Sequence, residues 1–170
     1  SDLENLLTAI KANIKVKNSN KGNLILLKGQ KNLFCFNLEI SGDQSSAAPF
    51  IFLTLLTPGS NLIIKNVNYN PTRTGFIKIL KKMNANIKVK NLKKKSGELV
   101  GDIIVKSSFL KPINCPKKLV PTAIDEFPLL FSIAAIIKGT SKFYGIRELR
   151  HKESDRIKNM EAGLNQIGIR

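Results

Sequence analysis

Residues 148–156 hold seven ionisable side chains in nine positions and lead directly into a helical pattern. Placed on a helix, Lys152 and Arg156 would be four residues apart, and Glu153 and Arg156 three apart. This spacing predicts that the three side chains share one face. Two cations beside a carboxylate suit an anionic ligand that must also exchange a proton. A solvated ladder of salt bridges is the alternative that the run by itself leaves open.

Asp125 is a second candidate for acid–base chemistry. Residues 121–126 (Pro-Thr-Ala-Ile-Asp-Glu) have the pattern of a helix start, with Thr122 as N-cap and Asp125 three residues later. A capping role alone would explain this carboxylate. The helix that follows is almost wholly apolar, so we expect Asp125 to lie where a buried core meets a loop, a setting suited to proton transfer.

Two further loops could bind an oxyanion. Residues 41–48 (Ser-Gly-Asp-Gln-Ser-Ser-Ala-Ala) place a glycine turn and the hydroxyl groups of Ser45 and Ser46 before an apolar helix, although capping alone also accounts for them. Residues 70–75 (Asn-Pro-Thr-Arg-Thr-Gly) start another helix, where Arg73 could either reach an anion or support its loop. The sequence leaves both roles open.

An internal repeat predicts the helices and strands that must position these residues. The heptapeptide Ala-Asn-Ile-Lys-Val-Lys-Asn occurs at residues 12–18 and again at 85–91, each time after an amphipathic helical pattern, and its alternation predicts a strand. A third amphipathic helix ends in Ile-Gly-Ile-Arg at the matching place, residues 167–170. Repetition over this length indicates like units stacked about a pseudosymmetry axis.

The pattern around the second copy predicts one complete unit of the order β-α-β-α-β-β. Its six elements are predicted at residues 35–40, 45–57, 61–67, 72–84, 86–91 and 99–106. A second unit follows, with an apolar helix at residues 122–138, a strand at residues 140–146 and the third amphipathic helix. Since the helix at residues 122–138 is apolar nearly all round, we expect other helices to enclose it. Charged hairpin turns are predicted at residues 19–22 and 93–97.

The composition argues against several classes of protein. A chain of 170 residues with 42% apolar content can bury one core. It shows no signal-peptide or membrane-span pattern, so we predict a cytoplasmic protein without a membrane partner. Cys35 and Cys115 lie far apart and His151 is the only histidine, so we predict no metal site. Two cysteines also fit a reducing compartment.

The net charge of +16 raises the alternative of a basic module that binds RNA or another polyanion. Such a module would bind with an affinity that falls steeply with salt and does not depend on Asp125. We predict instead that nucleic acid is no partner, because the lysines are spread along the chain, aromatic residues make up only 6% and the sequence has no tryptophan. The positive charge would in part suit anionic small molecules.

Four motifs, taken in order, resemble those of the 5-enolpyruvylshikimate-3-phosphate (EPSP) synthase family. They are Gly42-Asp43-x-Ser45-Ser46-Ala47-Ala48, Asn70-Pro71-Thr72-Arg73-Thr74-Gly75, Asp125-Glu126-Phe127-Pro128 and Glu148-Leu149-Arg150-x-Lys152-Glu153-Ser154-Asp155-Arg156. The resemblance covers essentially the whole chain. It implies an α/β (α+β) fold of repeated βαβαββ units about a pseudo-threefold axis, present here in incomplete form. It also implies that residues 1–39 are the tail of one domain, a helix plus a β-hairpin, and that residues 40–170 are most of the second.

The family reaction, as the resemblance implies it, transfers the enolpyruvyl group of phosphoenolpyruvate to the 5-hydroxyl of shikimate 3-phosphate and releases phosphate, with no metal or organic cofactor. By motif, Asp125 matches the general acid/base that contacts the shikimate ring, and Glu153 matches a second carboxylate near the pyruvyl carbon. Lys152 matches the lysine that binds the phosphate of shikimate 3-phosphate and takes part in proton transfer. Arg156 matches the arginine that holds phosphoenolpyruvate. Glu148 stands where some members carry an asparagine, so we leave it outside the primary site.

We expect the chain to be a piece of a larger enzyme. It opens on Ser1 without an initiator methionine and closes where a helix exit leads toward a further strand. The family's other substrate-binding lysines, arginines and Ser-Ser-Gln segment match nothing in the chain, so we expect no measurable activity from these residues alone. We expect a monomer at full length. The sister enolpyruvyl transferase that acts on UDP-N-acetylglucosamine is the nearest alternative, and the Lys-Glu-Ser-Asp-Arg cluster at residues 152–156 argues against it.

Overall fold

The computed structural model describes residues 2–20, 22–29, 32, 34 and 37–169. The helices are α1 (Asp2–Ala9), α2 (Gln44–Leu56), α3 (Gly75–Lys82), α4 (Phe127–Ile136) and α5 (Arg156–Gln166). The strands are β1 (Asn13–Ser19), β2 (Gly22–Lys28), β3 (Asn61–Asn68), β4 (Asn86–Lys95), β5 (Glu98–Lys106), β6 (Asn114–Cys115) and β7 (Lys142–Phe143). Short 3₁₀ segments occupy Lys117–Thr122, Ile124–Glu126 and Arg147–His151.

The central sheet has the strand order β3-β5-β4, and both strand pairs are antiparallel. Each outer strand has a bulge near Asp102 of β5. In the bulges, Asn66 and Asn91 have φ angles of 58° and 55°, a left-handed conformation that asparagine tolerates better than most residues. The Asp102 carboxylate accepts hydrogen bonds from the Asn66 amide (2.9 Å) and from Asn91 Nδ2 (2.7 Å). One side chain therefore fixes both bulges.

The hydrophobic core lies between the sheet and helices α2 and α3 and continues into α4. Its fully buried members include Ile51, Leu55, Phe76, Ile77, Leu80, Ile103 and Leu130. At the start of α4, the ring of Phe127 packs against Phe131 and Phe143 at centroid distances of 5.7 Å. Because aromatic rings contribute a large buried area, this cluster fixes the first turn of α4 against β7. Asp125 lies two residues before that anchor.

Most of the predicted complete unit is confirmed to within a few residues, since α2, β3, α3, β4 and β5 lie where the pattern places them. Both hairpins are also present, with Ser19 paired to Gly22 and Lys95 paired to Glu98. The predicted strand at residues 35–40 is different. Cys35 and Phe36 of that prediction lie outside the described residues, and residues 37–40 form no regular secondary structure.

The apolar helix predicted from residue 122 begins only at Phe127. Pro128 has no amide hydrogen, and within a longer helix its ring would clash with the carbonyl group four residues earlier. The preceding residues form 3₁₀ segments instead, and Thr122 Oγ1 donates a hydrogen bond to the carbonyl oxygen of Leu119 (2.9 Å). The predicted N-cap role of Thr122 is therefore wrong. The strand predicted at residues 140–146 is shortened to β7, which pairs in parallel with β6.

The first elements of the chain, α1, β1 and β2, lie outside this core. Helix α1 packs on β1, which forms a two-stranded hairpin with β2. Asn5 Nδ2 donates a hydrogen bond to Glu98 Oε1 (3.2 Å), and Lys95 forms an ion pair with Glu39, so α1 and the chain after the hairpin both contact the tip of the β4–β5 hairpin. Among the described residues, no helix is long and apolar enough to cross a membrane.

Candidate active site

The charge-dense run at residues 148–156 is divided between a 3₁₀ segment, a connecting segment and α5. Helix α5 begins only at Arg156, because Asp155 is its N-cap and accepts a hydrogen bond from the Lys158 amide (3.0 Å). Lys152 and the glutamate that follows it therefore lie before the helix, in non-helical backbone. The prediction that Lys152, Glu153 and Arg156 share one helix face is therefore wrong, because the helix begins after Lys152 and Glu153.

The connecting segment nevertheless brings together all four side chains that the motifs single out. Arg156 donates a two-fold hydrogen bond to Glu153, from Nε to Oε1 (3.0 Å) and from Nη2 to Oε2 (3.1 Å). Its third nitrogen, Nη1, lies 3.4 Å from Asp125 Oδ1. Lys152 Nζ lies 3.9 Å from that same oxygen and 3.3 Å from Glu148 Oε1. Asp125 thus contacts both cations, although it comes from a separate part of the chain.

Asp125, Glu153 and Arg156 border an open groove of about 330 Å³ at the start of α4 and α5, and Lys152 lies beside it through its contact with Asp125. The groove is lined by Asp125, Pro128, Glu153, Ser154, Arg156, Asn159 and Met160. The cations are the better buried partners: the side chain of Arg156 is 23% exposed and that of Lys152 26%, against 51% for Asp125 and 66% for Glu153. A ligand in the groove would therefore meet the two carboxylates directly and Arg156 at the wall, with Lys152 behind Asp125.

The two-fold hydrogen bond sets the ionisation of both its partners. Hydrogen bonds from Arg156 hold the pKa of the Glu153 carboxyl below its usual range. The same contact raises the pKa of the Arg156 guanidinium. At neutral pH Glu153 is therefore a carboxylate, which can accept a proton, and Arg156 is a fixed positive charge of the kind that matches a phosphate or carboxylate.

A second polar cluster adjoins the first through the peptide bond between Asp125 and Glu126. The side chain of Ser45 donates a hydrogen bond to Glu126 Oε1 (2.6 Å) and accepts one from Arg73 Nη2 (2.8 Å). Arg73 Nη1 also pairs with Asp43 Oδ1 (3.2 Å). Glu126 is only 5% exposed, and burial, assisted by the charge of Asp125, raises its pKa. The cluster ties the start of α2 to the start of α4.

The sequence predictions for this second cluster were incomplete. The sequence leaves the roles of Ser45 and Arg73 open, and the structure places both on one chain of contacts that leads to Glu126. The sequence pattern does not assign a role to Glu126. A signal was present, because a carboxylate directly before the apolar run of residues 127–137 must either reach solvent or find buried donors.

Comparison with known proteins places the chain in a family. Residues 1–170 match the family described as EPSP synthase (3-phosphoshikimate 1-carboxyvinyltransferase). The 3-phosphoshikimate 1-carboxyvinyltransferase of Zymomonas mobilis is 42% identical and aligns with 98% of this chain and 37% of its own length. That of Legionella pneumophila (strain Corby) is 52% identical over 78% of this chain and 30% of its own length.

The fold is shared with solved structures. One structure of EPSP synthase from Acinetobacter baumannii superimposes with a TM-score of 0.85 and 42% identity, covering 97% of this chain and 36% of that chain. A second EPSP synthase structure from the same organism gives the same TM-score and covers 100% of this chain. The predicted fold class, an incomplete α/β fold of the enolpyruvyl-transferase type, is confirmed. This chain spans 30 to 38% of the length of the first curated relatives. It belongs to the EPSP synthase family.

Proposed function

We propose that this chain is part of a 3-phosphoshikimate 1-carboxyvinyltransferase. The whole enzyme would transfer the enolpyruvyl group of phosphoenolpyruvate to the 5-hydroxyl of shikimate 3-phosphate and release phosphate. One observation carries the proposal: Asp125 lies within 3.9 Å of Lys152 and 3.4 Å of Arg156, although 27 and 31 residues of chain separate it from them. Glu153 completes this group through its contact with Arg156. Cations paired with carboxylates in one cluster suit a reaction between two anions that also moves protons.

Asp125 and Lys152 are the groups that we assign to shikimate 3-phosphate. The 5-hydroxyl must lose a proton as its oxygen adds to the enol carbon, and the half-exposed Asp125 carboxylate is available to accept it. The Lys152 ammonium group, held beside Asp125 Oδ1, is available to bind the phosphate ester and to take part in proton transfer. Both residues therefore count as catalytic and as substrate-binding.

Arg156 and Glu153 are the groups that we assign to phosphoenolpyruvate. A guanidinium group presents donors in a planar fork that matches a carboxylate or phosphate, and Glu153 now occupies that fork. Binding of phosphoenolpyruvate would displace part of this contact. The freed Glu153 carboxylate would then lie beside the pyruvyl carbon, in position to exchange a proton with the methylene group.

We also propose that residues 1–39 form the tail of one domain and residues 40–170 most of the second. A cleft of about 410 Å³ supports this boundary, since it runs between α1 and the second part of the chain and is lined by residues 38–43. The remaining groups of the substrate site would come from the rest of the enzyme, so this chain alone would have no measurable turnover. The full-length enzyme would be a cytoplasmic monomer that acts on small molecules and needs no cofactor.

The test uses the full-length protein that carries this chain, with release of phosphate from phosphoenolpyruvate as the assay. Asp125→Ala and Glu153→Ala should abolish turnover while the protein keeps its melting temperature. Lys152→Met should weaken binding of shikimate 3-phosphate and slow the reaction. Glu161→Ala removes an exposed carboxylate of α5 outside this cluster and should leave turnover unchanged. Normal turnover by the Asp125 and Glu153 variants would refute the assignment.

The net charge of +16 keeps a polyanion-binding module as the second candidate. We propose that nucleic acid is not a partner, because the site of this chain places carboxylates at its exposed rim. An RNA gel-shift assay across a range of salt concentrations separates the two. Tight binding that falls steeply with salt and persists in Asp125→Ala would favour the polyanion module.

A further inference from the structure

The short 3₁₀ segment Ile124–Glu126 carries two carboxylates that differ in burial and in partners. Asp125 is half-exposed and contacts Arg156, whereas Glu126 is 5% exposed and turns into the protein. A buried carboxylate is unfavourable unless hydrogen bonds compensate it. The position of Glu126 therefore needs a reason of its own.

Helix capping does not supply that reason. Glu126 is the residue before α4, yet its side chain makes no capping hydrogen bond to the helix. Its carboxylate instead accepts the hydroxyl hydrogen of Ser45, which lies 81 residues earlier in the chain and in the first turn of α2. The interaction thus joins two elements rather than ending one.

Ser45, the residue of α2 that binds Glu126, is itself held in place by contacts that run through Arg73 to Asp43. Ser45 accepts a hydrogen bond from Arg73 Nη2, and Arg73 pairs with Asp43. Asp43 is the N-cap of α2 and accepts a hydrogen bond from the amide of Ser46 (2.7 Å). The Ser45 hydroxyl therefore has a defined orientation, with its hydrogen directed at Glu126 and a lone pair at Arg73.

We propose that Glu126 is a positioning residue for the reaction: by anchoring the 3₁₀ turn to Ser45, it holds Asp125 against Lys152 and Arg156. This inference rests on the proposed function, because it assigns Asp125 its catalytic task. Glu126 would touch neither substrate. Its loss would let the turn relax, and a displacement of about 1 Å at a catalytic group lowers turnover by up to about a hundredfold.

The experiment compares Glu126→Ala, Glu126→Gln and Ser45→Ala in the full-length protein, with Ser46→Ala as the matched control. Ser46 is the neighbouring serine of α2, and its hydroxyl contacts Asp43 rather than Glu126. Glu126→Ala and Ser45→Ala should each lower kcat by about tenfold or more, with KM for both substrates changed by less than about threefold. Glu126→Gln should keep most of the activity, because its amide oxygen still accepts the Ser45 hydrogen bond.

Two further measurements keep the inference open to refutation. The double variant of Ser45 and Glu126 to alanine should be no worse than the poorer single variant, since both remove one interaction. Amide hydrogen exchange at Glu126 should accelerate in Ser45→Ala and not in Ser46→Ala, even if Glu126→Ala fails to fold. Unchanged kcat and unchanged exchange in Ser45→Ala would overturn the inference, as would a Glu126→Gln variant as poor as Glu126→Ala. A wild-type protein without turnover would instead refute the proposed function, and this inference with it.

Discussion

Replacement of Gly75 by alanine tests the packing that places the segment before Asp125. Gly75 is the first residue of α3, and a Cβ atom added to it would lie 2.2 Å from Thr122 Oγ1 and 2.7 Å from the carbonyl carbon and oxygen of Thr122. Ordinary contact begins at 3.4 Å, so the hydroxyl group would have to retreat by about 1.2 Å and the backbone by about 0.7 Å. Because Thr122 lies three residues before Asp125, the displacement would extend to the candidate site.

Two effects of opposite sign set the magnitude. Alanine is favoured over glycine within a helix by up to about 1 kcal/mol, whereas overpacking of a filled interior costs about 1–3 kcal/mol. The clash involves backbone atoms that cannot rotate away, so overpacking should prevail. We expect Gly75→Ala to lower the free energy of unfolding by about 1–2 kcal/mol. We also expect kcat to fall by about tenfold or more, because Asp125 would be displaced.

Urea unfolding and steady-state kinetics of the full-length protein check this prediction, with Gly163→Ala as the matched control. Gly163 lies in α5 and has no atom within 4 Å of an added Cβ, so alanine there should raise the free energy of unfolding by about 0.5–1 kcal/mol. If Gly75→Ala unfolds at the same urea concentration as Gly163→Ala and keeps full kcat, the close approach of Thr122 does not position the site.

Two other predictions concern buried polar groups. Gln44 is fully buried, and neither its amide nitrogen nor its amide oxygen has a hydrogen-bond partner among the described residues. Gln44→Leu should therefore raise the free energy of unfolding by about 1–2 kcal/mol, as measured by urea titration. In the same titration, replacement of the exposed Gln166 by leucine should leave the free energy of unfolding unchanged. The pKa of Glu126 is raised above its usual 4.5 by burial, so the folded state binds the proton more tightly than the unfolded chain and stability falls as pH rises from 4.5 through the raised value. Melting temperatures measured from pH 4 upward should therefore show Glu126→Gln gaining on the wild type over that window, and parallel curves would contradict the assignment.

The parts of the fold that could be predicted from the sequence are those with strong local periodicity. The alternation at residues 85–91 predicted the strand that is now β4, and the apolar run at residues 45–57 predicted α2. Pro128 shows where such patterns fail, because a single residue without an amide hydrogen moved the start of the next helix to Phe127. Asp155 has a similar effect on α5. Its side chain caps the helix, so the helix begins at Arg156, although the three- and four-residue spacing of the charged run predicted an earlier start.

The candidate site was predicted less from periodicity than from motif. Nothing in the local spacing of Asp125 indicates a contact with Arg156, because the two are brought together by the packing of α4 against α5. Only the resemblance to a family grouped them. The role of Glu126 could not be predicted from the sequence, because it depends on Ser45, a partner 81 residues away that no helical or strand period relates to it.

The balance of charge in the groove argues that these residues are one part of a larger site. Three charged side chains line the groove: the guanidinium of Arg156 and the carboxylates of Asp125 and Glu153. This set carries a net charge of −1, so it has no surplus positive charge of its own to pair with two anionic substrates. For the reaction that we propose, further cations must come from other parts of the whole enzyme. Their arrival would let Arg156 exchange Glu153 for phosphoenolpyruvate, so substrate binding itself would release the carboxylate that the proton transfer requires.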